Sequence, residues 1–137
     1  MSILILLITI ILTSCTPKQE PIDFQQVLEE AQVRLGQGKA LSEDTLLYKA
    51  LEYYQNIEPK DTTRLHQATI LTAYHYWWKS EKAKAYDLLE SIADTEKDAL
   101  QALMNLSDKD YDFEASYRYL CRIMEDETER KRFENQQ

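Results

Sequence analysis

Residues 72–92 read TAYHYWWKSEKAKAYDLLESI, and their reading decides the fold. The first part ends a run that Asp61 opens, DTTRLHQATILTAYHYWWK. After a short polar break, Ser80 opens a second run, EKAKAYDLLESIA. Ala85, Leu89 and Ile92 fall at i, i+4 and i+7, which places them on one helical face. Two helices joined by so short a break must return antiparallel. Working outward, Ala50, Tyr54 and Ile57 carry a similar series at a constant offset of 35 residues. Ala115, Tyr119 and Ile123 carry it approximately again, about 30 residues later. The hairpin is one unit of an internal repeat.

The remaining elements fit around it. Asp23 caps a helix through Leu35, with Phe24, Val27, Leu28, Ala31 and Leu35 on one stripe, and Gly36 and Gly38 end it. Ser42 begins the next run, with Leu46, Leu47, Ala50, Leu51, Tyr54 and Ile57 inward, and Pro59 stops it. Thr95-Glu96-Lys97-Asp98 reads as a capping box for DALQALMNL. A turn over 107–110 precedes a sixth helix from about Tyr111 to Met124, and the charged stretch that follows reads as a tail or frayed helix. With 2 Gly and 3 Pro in 137 residues, helix breakers are scarce. No segment alternates with period two, so the predicted fold class is all-α, antiparallel helices on short turns.

The N-terminal end carries a different signal. Ile3 to Leu12 is ten residues of Ile, Leu and one Thr. That is too short for a bilayer span of about 20 residues but suits a secretory signal of about 7–15. It ends Leu12-Thr13-Ser14-Cys15, which resembles the bacterial lipobox, although Met1-Ser2-Ile3 lacks the usual basic residue. The resemblance implies cleavage before Cys15 and acylation of its sulfur and new amino group. Two or three acyl chains hold a domain on a membrane, at about 0.8 kcal/mol per buried methylene. Thr16 to Pro21, with two prolines, reads as a tether. Cys121 then has no intramolecular partner and reads as an inert core thiol.

TAYHYWWKSEKAKAYDLLESI also resembles a tetratricopeptide repeat. Ala73 and Tyr76 match the small residue and tyrosine of its first helix, and Ala85, Leu89 and Ile92 match its second. KDYDFEASYRYL, residues 109–120, is similar to the turn and second helix of another copy. Thr69 and Thr72 stand where the family has large apolar residues, and Lys97 where it often has proline. With the lipobox, the chain looks like the tetratricopeptide-type lipoproteins of Bacteroidetes-like bacteria. The resemblance implies a short right-handed solenoid of antiparallel helix pairs. It divides the chain into a signal peptide at 1–14, a lipidated Cys and tether at 15–22, a helical-repeat domain at 23–126 and a charged tail at 127–137. It also implies a location on the bacterial envelope, at the outer membrane.

The same resemblance places Gln67, Ile70, Tyr74, Trp77 and Trp78 toward a concave groove where the family holds peptides. Trp and Tyr favour binding hot spots because they bury much area at low entropy cost. The competing reading of the aromatic cluster 74–78 is packing against the next helix pair. Asp108-Lys109-Asp110-Tyr111-Asp112 begins like a calcium loop, but Phe113 and Tyr119 replace its Gly and Glu, so it reads as a turn with capping acids. His66 and His75 lie nine apart, not at metal-pair spacing, and read as surface or half-buried side chains. No nucleophile motif or phosphate-cradling loop is present, so the expectation is no enzyme, no metal and no cofactor. A net charge of −8 with no basic stripe argues against nucleic acid. The expected function is a lipid-anchored module that binds an envelope protein or peptide. The alternatives are a structural subunit, an oligomer or shortened sensor of a larger envelope complex, and a small envelope hydrolase.

Overall fold

The computed structural model describes residues 19–136. The expected signal peptide and the expected lipidation at Cys15 lie outside the described residues. Six helices follow in order: α1 Phe24–Gly36, α2 Leu46–Asn56, α3 Thr62–Trp78, α4 Lys82–Glu90, α5 Lys97–Lys109 and α6 Phe113–Glu134. The described residues contain no strand, so the chain is all-helical. No described helix is long and apolar enough to cross a membrane.

Aspartates start three of the helices. Asp23, Asp61 and Asp112 each accept the backbone N–H three residues on, at 3.1 Å. Such a bond satisfies one of the free donors of the first turn and contributes about 1 kcal/mol. The expected starts at Ser42 and Ser80 differ from the structure. Residues 42–45 form turns, and α2 begins at Leu46, whose N–H meets the Asp44 carboxylate at 3.3 Å. Ser80 does not open a helix; with φ 64° it closes one. Its N–H donates to the Trp77 carbonyl and that of Glu81 to Tyr76, the paired bonds that end a helix through a left-handed residue. Gly38 and Tyr111 close α1 and α5 in the same way, at φ 71° and 60°. The cap of α5 is Glu96 rather than Thr95, whose hydroxyl turns back to the Ile92 carbonyl. The last helix runs past Met124, through the charged stretch, to Glu134.

Each helix packs on the next in sequence, and α1 packs on α3 and α3 on α5. The even helices α4 and α6 meet through longer side chains, Tyr119 and Arg122 of α6 both donating to Glu90 of α4. The odd helices form one row and the even helices another. The repeated series lies inside: Ala50, Tyr54, Ala85, Leu89, Ala115 and Ile123 are buried, and Ile57, Ile92 and Tyr119 pack at the edge. A small residue lets two helices approach and the large one a turn later fills the space beside it. Thr69 and Thr72 are buried without penalty because each hydroxyl reaches a carbonyl, of Leu65 at 2.8 Å and of Leu47 at 3.4 Å.

His75 corrects an expectation. It is fully buried, not at the surface. Its Nδ1 meets the Leu41 carbonyl at 2.6 Å and its Nε2 the Tyr48 hydroxyl. A carbonyl only accepts, so Nδ1 carries a proton. The imidazole thus anchors the Lys39–Thr45 connection onto α3 from inside. Spacing holds the reason: Ala68, Thr72 and His75 are i, i+4 and i+7, all on the core face of α3.

Candidate functional site

The row of odd helices forms a cleft of about 580 Å³. α1 contributes Gln32 and Leu35; α3 contributes Thr63, His66, Gln67, Ile70 and Tyr74. α5 and its cap contribute Glu96, Asp98, Gln101, Ala102 and Asn105. A larger cleft of about 700 Å³ is lined by α1, residues 43–45 and Leu46 at the start of α2. Three helices converging on one space give the smaller cleft a fixed shape, and it is the candidate site.

Its floor is apolar and its walls are amides. Leu35, Ile70 and Tyr74 pack against the core. Burial raises the Tyr74 phenol above its ordinary range, against a smaller opposing effect of its hydrogen bond to Asn105. Gln67 accepts from Arg64 at 2.9 Å, which fixes its amide. Gln101 donates to Asn105 at 3.2 Å. At one end His66 Nδ1 meets Glu96 at 2.9 Å, tying α3 to the start of α5. Asp98 stands beside them, exposed. The lining has two carboxylates and no lysine or arginine.

Of the five residues expected in a groove, the structure brings Gln67, Ile70 and Tyr74 together in this cleft. Trp77 and Trp78 do not line it. Trp78 is half-buried with its ring 5.9 Å from that of Tyr74. Trp77 points to the junction of α3, α4 and α5, where its indole N–H donates to Asp110 at 3.0 Å. Tyr86 donates to the same carboxylate at 2.7 Å, and Lys82 completes the set. Lys82 and Lys109 both lie over the Trp77 ring, at 5.4 and 6.0 Å. Burial works against the Asp110 charge, but the bonds from Lys82, Tyr86 and Trp77 outweigh it and hold the carboxyl below its usual range. The same burial and the carboxylate push Tyr86 upward. Trp77 and Tyr86 each spend their one side-chain donor on Asp110, so the cluster clasps α3 and α4 to the end of α5. Asp110 had looked like a capping acid of the turn. Asp112 takes that role, and Asp110 faces inward instead.

The sequence holds a signal for the remaining lining residues. The 35-residue offset of the even helices also relates Gln32 to Gln67 and Ala102, and Leu35 to Ile70 and Asn105. Applied to the odd helices it picks out the cleft. Among the described residues no group of three or more His, Cys, Asp or Glu converges. No protein-family model, no curated protein and no solved structure matches the chain.

Proposed function

We propose that the chain is a lipid-anchored interaction module of the bacterial envelope that holds a segment of a protein or peptide partner in the α1–α3–α5 cleft. On this reading the helix pairs are a short tetratricopeptide-like right-handed solenoid, and the odd helices are its concave side. One observation carries it: equivalent positions 35 residues apart on three successive odd helices face a single cleft. A repeat that aligns its side chains this way makes a continuous surface for an extended ligand. The mechanism is binding, with no covalent step. Cys15 and its acyl chains keep the domain at the outer membrane. The test is chemical cross-linking in the membrane fraction, wild type beside Gln67→Arg. A partner captured by the wild type should be lost from Gln67→Arg at unchanged helix content. Capture of the same partner by both would exclude the cleft.

A second reading is favoured by α6. Phe113, Tyr117, Leu120 and Met124 are exposed at i, i+4, i+7 and i+11, a stripe at the end of the helix row. A subunit that stacks on a copy of itself or on another envelope protein would cover it. Sedimentation separates the readings. A monomer at tens of micromolar argues against self-association, and a dimer lost in Tyr117→Glu supports it.

A further inference from the structure

We infer that the cleft selects an extended basic peptide, one with a lysine or arginine two positions from an apolar residue; this rests on the cleft reading above.

Charge comes first. The lining includes Glu96 and Asp98 and no cationic Lys or Arg. Glu96 is already engaged by His66 and by the N–H of Asp98. Asp98 is exposed at the cleft edge, so its carboxylate is open to a ligand cation. The cation beside the lining, Arg64, is held by Gln67 and Glu29, so an anionic segment would meet two carboxylates and be disfavoured, while a basic one is attracted.

Spacing comes next. Asp98 and Ala102 lie one turn apart on α5, about 6 Å along the helix. Ala102 shares the lining with Leu35 and Ile70, the apolar part of the floor. On an extended chain, side chains at i and i+2 point the same way and lie about 6.6 Å apart. For a chain lying along α5, a basic side chain on Asp98 sets the residue two positions away over Ala102. Between the two, a peptide backbone presents alternating N–H and C=O groups. Beyond the bonds they already make, Gln67 offers its NH2 and Gln101 its carbonyl, and Gln32 offers both, which suits a backbone rather than a particular side chain. The amides hold any extended chain, and the acid and the apolar floor choose among them.

The experiment is selection of random dodecapeptides displayed on phage against the full-length protein in detergent. The strongest peptide is then synthesised and titrated by fluorescence anisotropy against wild type, Gln67→Arg and Asp98→Lys. The expected result is enrichment of Lys or Arg two positions from Leu, Ile, Val or Phe. Affinity should be lost in Gln67→Arg and fall about tenfold or more in Asp98→Lys, the scale of one charge-assisted bond. Asp98 has an exposed side chain, and circular dichroism checks that Asp98→Lys keeps its helices. Cleft-dependent enrichment without a basic residue, or unchanged affinity in Asp98→Lys, overturns the inference and leaves the cleft reading standing. Binding that Gln67→Arg does not disturb, or no enrichment at all, overturns both.

Discussion

The indole N–H of Trp77, near the end of α3, donates to the carboxylate of Asp110, the residue that ends α5, at 3.0 Å. That single bond joins the second helix pair to the third and moves Trp77 out of the groove and into the framework. Tyr86 and Lys82 of α4 close on the same carboxylate. With the Asp110 side chain 14% exposed, water poorly replaces a donor removed from its carboxylate. Trp77→Phe should lower unfolding free energy by about 1–2 kcal/mol, and Asp110→Asn by about 1–3 kcal/mol. A double-mutant cycle by urea denaturation should show coupling between them.

Acid sensitivity follows from the same carboxyl. Its folded-state pKa lies below the unfolded value of about 3.9. A depressed carboxyl contributes stability that is fully present above the unfolded pKa and is lost as pH falls through the folded one. The stability gap between wild type and Asp110→Asn should therefore be constant from pH 5 to pH 7, within about 0.3 kcal/mol. It should narrow below about pH 4. Urea midpoints measured along that pH series check it; a gap that widens in acid would contradict the assignment.

Alkaline behaviour is set by two tyrosines on the even helices. Burial, then the Glu90 carboxylate at 2.8 Å, raises Tyr119 to about 12, and burial with Asp110 raises Tyr86. A group raised on folding contributes stability present below its unfolded pKa of about 10 and lost as pH rises toward the folded value. Tyrosinate absorbance should show Tyr119→Phe and Tyr86→Phe each removing a ring that titrates above the ordinary phenol value of about 10.

Helix closure by a residue other than glycine leaves a clear margin. Ser80 sits at φ 64° and is exposed, so its side chain supplies no packing to offset the left-handed backbone. Ser80→Gly should raise stability by about 1 kcal/mol, read from the urea midpoint at unchanged slope.

His75 is the reverse case. His75→Phe keeps an aromatic ring but leaves the part-buried Tyr48 hydroxyl without its partner and takes one of two donors from the Leu41 carbonyl, which keeps the Asp44 N–H at 3.0 Å. A loss of about 1–3 kcal/mol is expected, with hydrogen exchange accelerated first in residues 39–45. Tyr48→Phe removes one bond only and should cost about 1 kcal/mol.

Much of this fold was legible in spacing. The 35-residue recurrence of Ala50, Tyr54 and Ile57 named the buried faces of the even helices because small and large residues at i and i+4 have one use there. Where Ser80 and Thr95 were concerned, composition misled: both are good capping residues, but cap choice depends on backbone φ and on which neighbour reaches the free N–H. Trp77 and Asp110 were illegible singly, since their meaning is a contact across 33 residues that no local period encodes. The cleft was half legible. Gln67, Ile70 and Tyr74 came from the resemblance, while Gln32, Gln101 and Asn105 are ordinary surface residues until the odd helices are set side by side.

The central claim is that a partner lies in the α1–α3–α5 cleft. The most direct measurement replaces single residues of the full-length chain by a photo-cross-linking amino acid in intact envelopes. Gln67 probes the cleft, Tyr117 the stripe on α6, and Asp87 an exposed position on α4. Adducts to one partner from Gln67, absent from Tyr117 and Asp87, are the predicted result. Adducts from Tyr117 with none from Gln67 would contradict the account and make the end of the helix row the working surface.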